Sequence, residues 1–148
     1  TATKADFDWD SIFDGADWFH FTGITPALSD ETAAICLDAC KKAKEKGYFL
    51  RCIYVLTSNP EINKTRIDIR ESMGGHTVPE EKIKSRYYKA LDLVPELVEI
   101  CDIVHIYDNT NVPFRIFKKR KDVYFHWENK YWNYSDIEKL TEISEYIN

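Results

Sequence analysis

Tyr48-Phe49-Leu50-Arg51-Cys52-Ile53-Tyr54-Val55-Leu56-Thr57, followed at once by Ser58-Asn59-Pro60-Glu61, decides the fold. The run from Phe49 to Leu56 is apolar and rich in β-formers, so it reads as a buried strand. Ser58-Asn59-Pro60-Glu61 is a capping box that opens a helix to about Ser72. A strand passing directly into a helix is the first half of a crossover unit. Downstream, Gly74-Gly75 breaks the helix and Thr77-Val78-Pro79-Glu80 is a second capping box. The stripe Ile83, Tyr87, Leu91, Val94, Leu97, Val98 and Cys101 then predicts a helix that Pro95 kinks or splits. Ile103 to Tyr107 is another buried strand, closed by Asp108-Asn109. Phe114 to Phe117 and Val123 to Trp127 flank the basic stretch Lys118 to Lys121 as a hairpin. Ser135-Asp136-Ile137-Glu138 is a third capping box, before a last helix.

Upstream, Trp18-Phe19-His20-Phe21-Thr22 predicts a short aromatic strand ending at Gly23. Ser29 is the expected N-cap of a helix from Asp30 to Lys46, with Asp30 and Glu31 at its positive end. Ala33, Cys36, Leu37, Cys40 and Ala43 form its apolar stripe, and Gly47 is its stop. The order strand, helix, strand, helix, helix, strand predicts a single α/β domain. The expected architecture is a three-layer sandwich with a mostly parallel sheet, helical crossovers, and a C-terminal β-hairpin plus helix.

Composition narrows the function classes. The 148 residues are 44% apolar and 14% aromatic, which excludes a disordered chain. The net charge of -5 argues against a nucleic-acid partner held by bulk charge. No apolar run approaches the roughly 18 residues of a membrane span. The acidic, aromatic N-terminus is not a signal peptide, and it lacks an initiator Met, as expected of a chain that is trimmed or begins mid-gene. Cys36, Cys40, Cys52 and Cys101 lack zinc-site spacing and are expected to be buried thiols, so no metal and a reducing cytoplasm are expected.

Phosphate chemistry lacks its usual motifs within these 148 residues. The five glycines Gly15, Gly23, Gly47, Gly74 and Gly75 form neither a P-loop nor G-x-G-x-x-G, and none is followed by Lys. Such cradles need Gly so that consecutive backbone N–H groups can converge on an anion. No G-x-S-x-G elbow is present either. His20, His76, His105 and His126 lie in separate segments, and His20, His105 and His126, which fall in predicted strands, read as packing residues. No catalytic residue is assigned.

Two resemblances run through the chain. The segment Phe7 to Ser29, and above all Trp18-Phe19-His20-Phe21-Thr22-Gly23-Ile24-Thr25-Pro26-Ala27-Leu28-Ser29, resembles 2-keto-3-deoxygluconate kinase of the PfkB (ribokinase-like) sugar kinases. It covers about residues 1–47. It implies that Gly23, Ile24 and Thr25 line a sugar pocket, although a strand-to-helix loop without ligand is the simpler reading. The family's G-A-G-D motif has no counterpart here.

Residues of about 43–148 resemble the C-terminal half of zeta-toxin-like P-loop kinases. The matching phrases are Tyr48 to Thr57, Asn59-Pro60-Glu61-Ile62-Asn63, Gly74-Gly75-His76-Thr77-Val78-Pro79, Arg86-Tyr87-Tyr88, Asp108-Asn109 and Pro113-Phe114-Arg115. That resemblance implies that Arg66, Arg70, His76 and Arg86 reach phosphates, and that Gly74-Gly75 is a lid hinge. The simpler alternatives are surface pairing of Arg66 and Arg70 with Glu61, Asp68 or Glu71, and a plain interhelix turn. The two resemblances meet near Ala43 to Gly47, the pattern of a chimera, engineered or arisen by recombination.

The expected function is therefore a non-catalytic protein built from two phosphotransferase segments, without cofactor. Two alternatives stay open. One is a residual sugar or nucleotide-sugar kinase using ATP and Mg. The other is a toxin-derived binding module that meets an antitoxin-like partner. A homodimer through an exposed sheet edge or apolar face is also expected.

Overall fold

Local sequence rules place most of the elements in the computed structural model, which describes residues 2–23, 26 and 29–147. The described chain forms two compact units, Thr1–Leu50 and Arg51–Asn148.

In the first unit, α1 (Trp9–Phe13) is capped by the Asp8 side chain, which accepts from the Ser11 N–H. The longer α2 (Asp30–Glu45) is capped by Ser29, as its sequence predicts. Its buried face is Ile35, Cys36, Ala39, Cys40 and Ala43, so Ile35 and Ala39 take the places expected of Ala33 and Leu37. Trp9 donates its indole N–H to Asp38 at 2.7 Å. Around Trp9 gather the rings of Phe7, Phe13 and Phe19. The hydroxyl of Tyr48 donates to the carbonyl of Ala16.

The expected strand at Trp18 to Thr22 does not form. These residues are irregular, and Trp18 is 90% exposed. A strand requires a hydrogen-bonded neighbour. Phe19 and Phe21 instead join the aromatic cluster, edge to face and tilted against Phe13 and each other.

The second unit holds a four-stranded sheet in the order β1 (Arg51–Leu56), β2 (Ile103–Asp108), β3 (Phe114–Arg120), β4 (Val123–His126). β1 and β2 are parallel; β2–β3 and β3–β4 are antiparallel. The sheet is thus mixed, and this corrects the expectation of a mostly parallel one. The cause is connectivity: one helical crossover joins β1 to β2, and hairpin-type connections join the rest.

That crossover consists of α3 (Pro60–Ser72), α4 (Glu80–Asp92) and α5 (Val94–Ile100). Pro95 does split the long predicted helix, sitting in the first turn of α5 where its missing N–H costs nothing. The last helix, α6 (Tyr134–Thr141), follows the hairpin. Each expected capping box is displaced. Asn59 caps α3, Pro79 precedes α4 without a side-chain cap, and Asn133 with Asp136 forms the box of α6.

Alternation along the strands sorts side chains onto two faces. Helices close one face: Tyr54 donates to Ala90 O of α4, and Lys119 donates to Val98 O and Glu99 O at the end of α5. Val104, Ile106 and Phe117 are fully buried there. A register shift beside Ile106 and Tyr107 inserts Ile116, also fully buried. The other face is open. Ile53 and Val55 are 60% and 59% exposed, so β1 is half-solvated rather than a buried strand. It lies at the sheet edge, with β2 as its neighbour.

No described helix is long and apolar enough to cross a membrane. Cys36, Cys40 and Cys101 are buried thiols, and Cys52 is half-buried. Among the described residues no cluster of three or more His, Cys, Asp and Glu side chains is placed to hold a metal ion.

Candidate functional site

In open α/β sheets, ligands bind beyond the carboxyl ends of parallel strands. Here that place is filled by the chain's own hydrogen bonds. Asp108, 1% exposed at the end of β2, accepts from Thr110 N–H and hydroxyl on one oxygen and from Asn129 Nδ2 at 2.8 Å on the other. Thr110 Oγ1 in turn accepts from Ser58 N–H at 2.8 Å. Thr57 donates to Asn59 O or Asn63 Oδ1, and Tyr87 donates to Thr57 O at 2.7 Å. Burial holds the Tyr87 phenol protonated, pushing its pKa up to about 12. Both carboxylate oxygens of Asp108 are therefore engaged, one in closing the turn to Thr110 and the other in holding Asn129.

Among the expected phosphate-binding residues, Arg66 is engaged within the chain and the other three are exposed. Arg66 Nη2 donates to Asn109 O at 2.6 Å and Thr110 O at 3.2 Å, tying α3 to the loop after β2. Arg70 is exposed in the last turn of α3, His76 is exposed between α3 and α4, and Arg86 is exposed on α4. Two of the acids expected to pair with Arg66 and Arg70 have other partners. Glu61 meets Lys84 at 3.2 Å, and Glu71 accepts from Thr77.

Gly74 and Gly75 terminate α3. Gly74 takes a positive φ of 93°, and Gly75 N–H donates to Arg70 O at 2.8 Å. A Cβ on Gly75 would stand 2.8 Å from that same oxygen. Lys64 and Lys84 then bracket Glu80 at 2.6 and 2.8 Å across the α3–α4 hairpin. Those contacts hold Glu80 ionised down to a pKa of about 2. Gly23 is exposed with open space around it, and Ile24 and Thr25 lie outside the described residues.

Unengaged chemistry lies on the open face of the sheet. Arg51 and His105 come from β1 and β2, Arg115, Lys118 and Arg120 from β3, and Phe125 from β4. Trp127 follows β4, its N–H donating to Ile116 O at 2.9 Å. The Arg115 guanidinium lies 4.9 Å from the Trp127 ring, and the Lys118 ammonium 5.4 Å from the Phe125 ring. Phe125 and Trp127 are nearly parallel, at 5° and 6.1 Å. Arg115 Nε is buried without a hydrogen-bond partner.

Two shallow, open depressions lie on this face. One, of about 360 Å³, is lined by Lys118, Arg120, Lys121, Val123 and Phe125, and the other, of about 290 Å³, by Tyr107, Phe114, Arg115 and Trp127. Partial burial, then Arg115, Arg51 and Lys118, push the His105 imidazole below its ordinary pKa. His105 therefore takes up a proton less readily than a free imidazole.

This face was not picked out from the sequence. The stretch Lys118 to Lys121 reads as a solvated tip, and Trp127 as a packing or interface residue. In the structure β3 runs through Arg120, which puts Lys118 and Arg120 on one face and Lys119 on the other. The available signal was the period-two match of Lys118 and Arg120 with Val123, Phe125 and Trp127 across the turn.

No protein-family model matches the chain, and no solved structure matches it. A stretch of 47 residues, 32% of the chain, is 40% identical to an uncharacterized protein of Haemophilus influenzae. The match spans about a third (34%) of that relative's length.

Proposed function

We propose that this chain is a non-catalytic α/β binding module, recombined from segments of two phosphotransferase families, that acts through the open face of its sheet. The observation carrying this reading is that face, with Ile53 and Val55 exposed and Arg115, Lys118, Phe125 and Trp127 gathered around two depressions. A docked partner would cover the face that the chain's own helices leave open.

Two further features support the reading. Two of the positions where a kinase would hold or frame phosphate are engaged internally: Arg66 serves two carbonyls, and Gly75 caps a helix. The boundary between the compact units, Leu50 to Arg51, falls close to the junction of the two resemblances at Ala43 to Gly47. Phosphoryl transfer is mainly positioning and charge stabilisation by groups aimed at the phosphates. Arg70, His76 and Arg86 are solvated individually.

Calorimetric titration with Mg-ATP tests the proposal on protein whose folding is verified by circular dichroism. No heat at millimolar nucleotide is the expected result. Micromolar binding that is lost in Arg70→Ala or Arg86→Ala would move the assignment to a residual sugar or nucleotide-sugar kinase.

A second mode of association, a homodimer, is favoured by the position of β1. It is an edge strand without proline or bulge, and it exposes Ile53 and Val55. Sedimentation across a concentration series tests it: monomer throughout removes the homodimer.

A further inference from the structure

We propose that the open face of the sheet is a platform for single-stranded nucleic acid. This rests on the reading of that face as the binding surface and names its partner.

The first argument is charge segregation. Residues 51–148 carry 15 Lys and Arg against 16 Asp and Glu, so the segment as a whole is close to neutral. Alternation nonetheless brings Arg51, Arg115, Lys118 and Arg120 to one face, with Lys121 at its rim, and brings no carboxylate from β1 to β4 to it. Such a patch attracts a polyanion even though the chain's net charge is -5.

The second argument is stacking. Bases of single strands stack on aromatic rings and on arginine guanidinium planes, and sheet faces bearing both are suited to them. Phe125 and Trp127 lie parallel along one strand direction, Arg115 covers Trp127, and Tyr107 borders the same depression. An acidic peptide would use the cations and leave the rings without function.

The third argument is an unfilled bond. The buried Nε of Arg115 has no acceptor among the described residues, and an outward turn of the side chain beside Trp127 would let a phosphate or base oxygen supply one. A second copy of the chain fits less well. Face-to-face pairing is isologous, so it would set these same cations against each other.

The probe is a fluorescein-labelled oligo(dT) of about 15 nucleotides, with oligo(U) beside it, read by anisotropy across a tenfold range of salt. Saturable binding is expected, with log Kd rising against log salt with a slope of about 3 for four phosphate contacts. Lys118→Ala should reduce that slope by about 0.7. Trp127→Ala should weaken binding roughly 5- to 150-fold with the slope unchanged. Arg51→Ala, at the exposed start of β1, repeats the slope test at a position that folding does not depend on. Lys139→Ala, exposed on α6, should change nothing.

Absence of binding by the folded protein at low salt overturns the assignment. So does binding that ignores Trp127, which would mark a mere polyanion sink, or equal affinity for an acidic peptide of matched charge. A negative oligonucleotide titration leaves the non-catalytic reading standing, whereas Mg-ATP binding that is lost in Arg70→Ala or Arg86→Ala and kept in Trp127→Ala overturns that reading without touching this one.

Discussion

Cys52, Tyr54, Leu56, Val104, Ile106 and Phe117 point to one face of the second unit's sheet, and Ile53, Val55, His105, Arg115, Lys118 and Phe125 to the other. Both sets alternate along the same strands, and both contain strong β-formers. On the first face Ile106 and Phe117 have no exposed surface; on the second Ile53 keeps 60% of its own. Residue type does not explain this difference. The placement of helices does: α4 and α5 are tied to the first face by Tyr54 and Lys119. Stability is concentrated on the covered face, and the chemistry available to other molecules on the open one.

Matched substitutions across the sheet test that division. Phe117→Ala on the covered face should destabilise by about 3–5 kcal/mol, through lost burial and the cavity left behind. Ile53→Ser on the open face should change stability by less than about 0.5 kcal/mol. Urea unfolding measures both, and equal costs would show the open face to be part of the core.

Adjacent lysines give the next contrast. Lys119 is 6% exposed and donates to two carbonyls at the end of α5, so Lys119→Ala leaves buried acceptors unpaired, at a cost of roughly 1–3 kcal/mol. Lys118→Ala should leave the melting temperature nearly unchanged and alter only binding at the open face. Similar melting shifts for the two variants would break the comparison.

The smallest effect separates two histidines. Both imidazoles are held below 6.5, chiefly by burial. The folded state therefore resists a proton that the unfolded chain accepts. Their contribution to stability is complete above the unfolded value of 6.5 and falls as pH drops through it toward the depressed folded values. His105 also feels Arg115, Arg51 and Lys118, which salt screens; His126 is packed between the rings of Tyr134 and Tyr146. Added salt should raise the His105 pKa in an NMR titration and move His126 less. Parallel shifts would show that the two faces do not differ electrostatically.

Composition and punctuation made the strands at Arg51–Leu56 and Ile103–Asp108 legible, along with the hairpin and the split at Pro95. Caps were legible only approximately, because several polar residues compete at each helix start. Ser58 offers its N–H to Thr110, Thr77 gives its hydroxyl to Glu71, and Asn59 and Asn133 cap instead. The phrase Trp18 to Thr22 carries strand propensity without a strand to pair with. The open face escaped the sequence because an apolar run such as Cys52 to Leu56 looks alike whether one face or both are covered. Which face is covered depends on helices many residues away.

The bond between β1 and β2 has a consequence for the order of folding. β2, β3 and β4 are joined by short connections and can assemble locally, whereas β1 must wait for closure of the loop that carries α3, α4 and α5. β1 should thus be the last strand to dock, leaving the outer edge of β2 available until then to any extended chain nearby. Pulse-labelled hydrogen exchange should find the amides of β3 and β4 protected before those of β1. Newly made chains at high concentration should then exchange β1 between molecules, so dilution during refolding governs the yield of monomer.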